Sequence, residues 1–185
     1  MSECEQTHGQ TILQHGESVH EYYRDLYYHI ITGGRDRLKQ EWRLPDWIFD
    51  PVIMERISPP SKLREYQVMH DLGKPYCRTI DADGRQHFPD HANISADLWL
   101  ASDGDEFTGM LIRQDMDIHL ISAEECSEFA QRPHAIDLLL TGLCEVHSNS
   151  RLFDGIDSVS SKIKNKRITQ RGKRILAHIK ENTNG

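Results

Sequence analysis

The stretch HDLGKPYCRTIDADGRQHFPDH, residues 70–91, holds three histidines and four aspartates and opens on a His-Asp doublet. Imidazole is the commonest side-chain ligand for metals and also a general acid or base near neutral pH, and carboxylate oxygens bind the same divalent cations. Adjacent residues inside a helix point about 100° apart. Where the helix stops that constraint lapses, and Gly73 and Pro75 predict a stop just after the doublet. His70 and Asp71 can then turn both donors toward one cation, and one more histidine and one more carboxylate from other elements would complete a four-ligand set. The plain alternative is a surface helix end capped by glycine. Eleven histidines in the chain keep the first reading in play.

Other elements must bring those partners in. Over 11–31 the apolar residues Ile12, Val19, Tyr22, Tyr23, Leu26 and Ile30 recur at helical spacing up to Gly33-Gly34, and His15 falls on the face of Val19, Tyr22 and Leu26. Four prolines and two tryptophans in 42–60 predict a long packed loop with at most a short helix at 51–57. A second helix is expected after Ser61, through Leu63, Tyr66, Val68 and Met69 into the doublet. Asp81-Ala82-Asp83-Gly84 predicts the turn of a small hairpin or Ω-loop. Further helices are expected from His91 to Asp103-Gly104, over 106–121 and over 134–149, and 160–181 reads as a turn and a last helix beyond Gly172. The sum is an all-α, irregular helical bundle with a small hairpin or loop after the doublet. Trp42, Trp47 and Trp99 are expected in the core rather than as base-stacking platforms. His8, His20, His29, His134 and His178 are expected at the surface or in packing.

Composition narrows the function classes. The length suits one domain, and charged residues at 28% against 37% hydrophobic ones fit a globular chain. No apolar run reaches the roughly 20 residues of a membrane span, and MSECEQTHGQ has no signal-peptide pattern, so a cytoplasmic protein with no membrane partner is expected. Cys4, Cys77, Cys126 and Cys144 lack CxxC spacing and read as free thiols rather than a zinc ribbon or disulfide framework. The net charge of −7 conceals a basic end, since 158–185 holds eight basic residues and one acid, Glu181. A charge run is usually a solvated face, but this one, at 162–180 in an acidic chain, is a candidate for phosphate or nucleic-acid contacts.

His70-Asp71-Leu72-Gly73-Lys74-Pro75 resembles the HD-x-GKP signature of the HD-domain metal-dependent phosphohydrolases. The continuation Gly84-Arg85-Gln86-His87-Phe88-Pro89-Asp90-His91-Ala92 resembles the following stretch in HD modules of CCA-adding tRNA nucleotidyltransferases and RNA end-healing enzymes. His15-Gly16-Glu17-Ser18-Val19 is similar to the family's opening histidine. The likeness covers roughly 12–31 and 62–122, is weaker over 134–150 and is absent over 32–60. It implies an HD-type catalytic domain over 1–157, with 158–185 packed on it or extending from it.

Carried over residue by residue, the resemblance makes His15, His70 and Asp71 metal ligands and His91 a ligand for a second ion. Asp115 is the expected next ligand, because on the face of Leu111, Ile118 and His119 a carboxylate would be partly buried and costly unless paired or metal-bound. The family's last aspartate is missing from the helical stretch Leu143-Cys144-Glu145-Val146-His147, which leaves Glu145, His147 and His119 as candidates for the last position. The implied activity is hydrolysis of a phosphoester in a nucleotide or RNA end, such as a 2′,3′-cyclic phosphate, by metal-bound hydroxide with one or two ions among Mn, Ni, Co, Fe, Mg and Zn. Asp71 and Lys74 are the expected catalytic pair, with Lys74, Arg85, His87 and Arg113 as donors to the phosphate. Two alternatives follow from the same likeness: an HD-type di-iron oxygenase, and a non-catalytic HD domain that binds nucleic acid through its basic tail.

Overall fold

The computed structural model describes residues 5–7, 9–152 and 154–183, so Cys4 and His8 lie outside the described residues. A short hairpin, β1 (Glu5–Thr7) with β2 (Gln10–Thr11), leads into α1 (Ile12–Ile31). Thr11 starts α1 with a capping box: its hydroxyl accepts from the Gln14 N–H, and its own N–H donates to the Gln14 side chain. The predicted apolar face of α1 is the face that is buried. The helix ends where Gly33 and Gly34 take positive φ.

The 42–60 segment is packing, built from a 3-10 turn, Asp46–Phe49, and a short helix α2 (Pro51–Arg56). The Asp25 carboxylate accepts from the N–H groups of Lys39 and Gln40 and from the Trp42 indole, which fixes the entry to this segment. Trp47 lies against α10 (Val159–Thr183), where its indole N–H donates to the Thr169 carbonyl. All three tryptophans are partly buried against the core, as expected.

The doublet follows α3 (Pro60–Met69). Pro75 does not merely stop that helix: it sits in the first turn of a one-turn helix, α4 (Lys74–Cys77). The expected turn is present as the antiparallel pair β3 (Thr79–Ile80) and β4 (Gln86–His87). Next come α5 (His91–Ala101) and α6 (Glu106–Gln114). The single helix expected over 106–121 is instead two, with α7 (Asp117–Leu120) after a break. At Asp115 and His119 the backbone hydrogen bonds tighten to a three-residue spacing while the dihedrals at Asp115 and Met116 stay right-handed. Apolar periodicity runs through such a turn, so the sequence reads one helix.

After α8 (Cys126–Phe129), α9 (Ala135–Ser150) is buried almost all round, which makes it the central post of the bundle. The last helix, α10, packs along α9 and α8. It runs unbroken through Gly172, correcting the expected turn. A Cβ at Gly172 would lie 2.4 Å from the Trp47 ring, so this glycine seats an indole instead of ending a helix. The all-α reading therefore holds. Among the described residues no helix is long and apolar enough to cross a membrane.

Candidate metal centre

His15 comes from α1, His70 and Asp71 from the turn after α3, His91 from the start of α5, His119 from α7 and Glu145 from α9. Two glycines allow the approach. A Cβ on Gly16 would stand 2.3 Å from the Val68 carbonyl oxygen, so α1 and α3 meet backbone to backbone beside His15 and His70. A Cβ on Gly73 would stand 2.6 Å from the Ser95 nitrogen and 2.8 Å from the His91 oxygen. Gly73 thus lets the doublet's turn lie on α5, and its N–H donates to the Ser95 hydroxyl.

His15, His70 and Glu145 are buried and offer ligand atoms that all lie within 4.8 Å of one another. Glu145 Oε1 is 2.8 Å from His70 Nε2 and 3.8 Å from His15 Nε2, while Oε2 is 2.7 Å from His119 Nε2. Asp71 Oδ2 is 3.3 Å from His70 Nε2 and 3.8 Å from His15 Nε2, and Oδ1 is 3.4 Å from His91 Nε2. Each carboxylate thus has imidazole nitrogens beside both of its oxygens. His70 Nδ1 donates to the Gln67 carbonyl and His91 Nδ1 to the Phe88 carbonyl, which turns both Nε2 atoms inward. Gln67 is itself held, accepting from His20 Nδ1 and donating to Thr141.

Electrostatics point the same way. Asp71, Asp115 and Glu145 are three carboxylates buried together. Burial alone would raise the carboxyl of Asp71, but the charges of His70 and Lys74 hold it well below the usual range. Glu145 is likewise held well below its ordinary value, burial being outweighed by His70 and by bonds from His119 and His15. Asp115 goes the other way: burial and then the Glu145 charge push it up to about 7. His70 is raised well above its ordinary value, because Asp71, Asp115 and Glu145 overcome its burial. The bond to Glu145 raises His119 against the pull of burial. A divalent cation fits here. It would offset the surplus of buried negative charge, and two imidazoles with a carboxylate are a donor set that divalent cations take.

The other expected residues separate clearly. Asp115 stands behind the cluster, where the Tyr66 hydroxyl donates to Oδ1 at 2.5 Å, and it is not in the group that offers converging ligand atoms. His147 is not a ligand candidate in this geometry. Its Nδ1 donates to the Leu143 carbonyl, its Nε2 accepts from the Arg43 N–H, and its ring packs on Trp42, so it ties the 42–60 segment to α9. Lys74 Nζ is 2.5 Å from Asp71 Oδ2 and lies over the Phe88 ring, while still lining the cavity. His87 lines the cavity too and pairs with Asp81. Arg113 instead pairs with Asp97 on the surface, and Arg85 is exposed on the hairpin; neither side chain lines the cavity.

That cavity, of about 480 Å³, has the cluster at its base, with His15, Asp71, His91, His119 and Glu145 exposed to it. The hairpin gives one wall through Gln86, His87 and Phe88, and α10 gives another through Lys164, Arg167 and Arg171. Tyr66 and Gln67 carried no sequence signal beyond helical spacing. Lys164, Arg167 and Arg171 did, since steps of three and four place them on one face of a helix. The described cysteines, Cys77, Cys126 and Cys144, are free thiols. Comparison with models of protein families, with curated proteins and with solved structures finds no match for this chain.

Proposed function

We propose that the chain is a divalent-metal-dependent phosphohydrolase of the HD type. The observation that carries this reading is the conjunction, in one cavity, of a buried His15-His70-Glu145 ligand group beside Asp71 with a cationic wall on α10. The first suits a cation and the second suits an anion, and a phosphoester held at a metal needs both. A bound divalent cation would supply Lewis-acid polarisation of the phosphoryl oxygens and acidify a water.

The chain's own residues do the rest. Lys74 pairs with Asp71 Oδ2 and adds to the His70 charge that keeps this carboxyl ionised. Glu145 orients His70 and His119, with one oxygen beside each Nε2. Asp115, its carboxyl raised by burial and by the Glu145 charge, accepts the Tyr66 hydroxyl behind the cluster. His91 and His119, each on the outer oxygen of a carboxylate, favour a two-ion site over a one-ion site. A di-iron oxygenase would use the same arrangement, but it has no need of the cationic wall.

The test is to supply Mn²⁺, Ni²⁺, Co²⁺ or Mg²⁺ and a panel of phosphoesters that includes 2′,3′-cyclic nucleotides and 2′-phosphates. Turnover that requires metal and is lost in Asp71→Ala is expected. Metal-loaded protein that cleaves no member of the panel contradicts the proposal, and O₂ uptake by iron-loaded protein would favour the oxygenase.

A further inference from the structure

The cationic wall has features that a solvated charge run lacks. Arg167 and Arg171 both line the cavity, and among the described residues neither forms an ion pair with a carboxylate. No acid occurs from 158 to 180 to provide one. Arg171 is anchored through Nε to the Ile121 carbonyl at 2.9 Å, which fixes its guanidinium at the cavity wall. Arg167 lies one helical turn before Arg171 on α10, and both side chains line the same wall of the cavity. Uncompensated cations on one wall of a partly enclosed cavity are stabilised by an anion between them. The cluster at the base already has its own use for the phosphate that reacts, and Lys74 is engaged with Asp71.

We propose that Arg167 and Arg171, with Lys164 beside them, form a second phosphate subsite, and that the substrate carries another phosphate besides the one that is cleaved. The idea rests on the hydrolase reading and narrows it. The cavity volume lies within the range of small-molecule sites, so both phosphates fall within one compact ligand or the last two nucleotides of a chain end. A nucleoside bisphosphate and a 5′-phosphorylated dinucleotide share this chemistry.

Binding of adenosine 3′,5′-bisphosphate, of 5′-phosphorylated diadenylate and of adenosine 5′-monophosphate to the metal-loaded protein tests it by calorimetry. Arg167→Gln and Arg171→Gln should each weaken one or both doubly phosphorylated ligands by about tenfold to a hundredfold, as loss of a charge-assisted contact predicts. Lys166→Gln and Lys173→Gln change the net charge equally on exposed positions off the cavity wall and should stay within about twofold. Which ligand binds more tightly identifies the source of the second phosphate. Equal affinity for mono- and bis-phosphorylated ligands, or an Arg167→Gln effect no larger than that of Lys166→Gln, overturns the subsite. The readout needs no turnover. Arginine-dependent binding without hydrolysis would remove the hydrolase reading alone, and hydrolysis indifferent to both arginines would remove the subsite alone.

Discussion

Gly16→Ala tests how the fold holds the site. The added Cβ would lie 2.3 Å from the Val68 oxygen, 2.7 Å from its Cα and 2.8 Å from its carbonyl carbon, all backbone, whereas ordinary contact begins at 3.4 Å. No side-chain rotation relieves this, so α1 and α3 must part by about an ångström. Overpacking of this kind costs about 1–3 kcal/mol, and the better helix propensity of alanine returns about 1 kcal/mol, leaving a net loss of about 1–2 kcal/mol at the upper half of that range. For a chain of this size the melting temperature should fall by about 2–8 °C. His15 adjoins Gly16 on one helix and His70 follows Val68 by two residues on the other, so the same shift pulls the two imidazoles apart. Metal sites tolerate about 0.2 Å of ligand displacement, so affinity for Mn²⁺ or Ni²⁺ should fall at least tenfold. Calorimetric melts with and without metal, with a metal titration, read both effects. A variant that gains the propensity term and binds metal as tightly as the parent would refute the argument.

Removing the Glu145 charge by Glu145→Gln should weaken metal binding by about a hundredfold or more, and in the metal-free protein should bring the Asp115 carboxyl down from about 7, since Glu145 is the main charge that raises it; carbon-13 carboxyl titration reads the second effect. His147→Ala should leave metal stoichiometry unchanged while costing about 1–3 kcal/mol in denaturant melts, because a buried imidazole is removed and the part-buried Arg43 N–H loses its acceptor. The same histidine sets an acid limit on stability. Burial lowers its pKa in the folded chain, so its neutral form contributes stability above the unfolded value near 6.5 that is lost as pH falls through the folded value, and His147→Gln should flatten that limb of the stability–pH curve. Metal affinity should rise from acid to neutral pH, because His70 and His119 hold protons that a cation must displace; a pH-independent affinity in calorimetry would contradict this.

How far the sequence revealed the site depends on the kind of signal each residue left. His15 and the doublet were legible because helical periodicity and a glycine–proline stop both leave local marks, and the structure brings them together. Glu145 could be named only as one of three candidates on a helix buried all round, where no polar face gives its direction. His147, two residues on, points to the opposite side and serves the Trp42 segment. Asp115 was correctly read as buried, but burial does not say whether a carboxylate faces a cation or a tyrosine behind it. The break at Asp115–Met116 was hidden because a tightened turn preserves the apolar rhythm. Gly172 misled for a related reason: its role is set by an indole more than a hundred residues away in the chain. Arg85 and Arg113 were chosen for charge near the motif, while the cations that line the cavity come from the far end of the chain.

The central claim is that residues far apart in sequence grip a divalent ion between His15, His70 and Glu145. A crystal structure of the Mn²⁺- or Ni²⁺-loaded protein, with anomalous data collected at the metal edge, tests it most directly. The account predicts a peak at about 2.0–2.2 Å from His15 Nε2, His70 Nε2 and a Glu145 oxygen, with Asp71 beside it. Loaded crystals with no anomalous peak within reach of these atoms would contradict it.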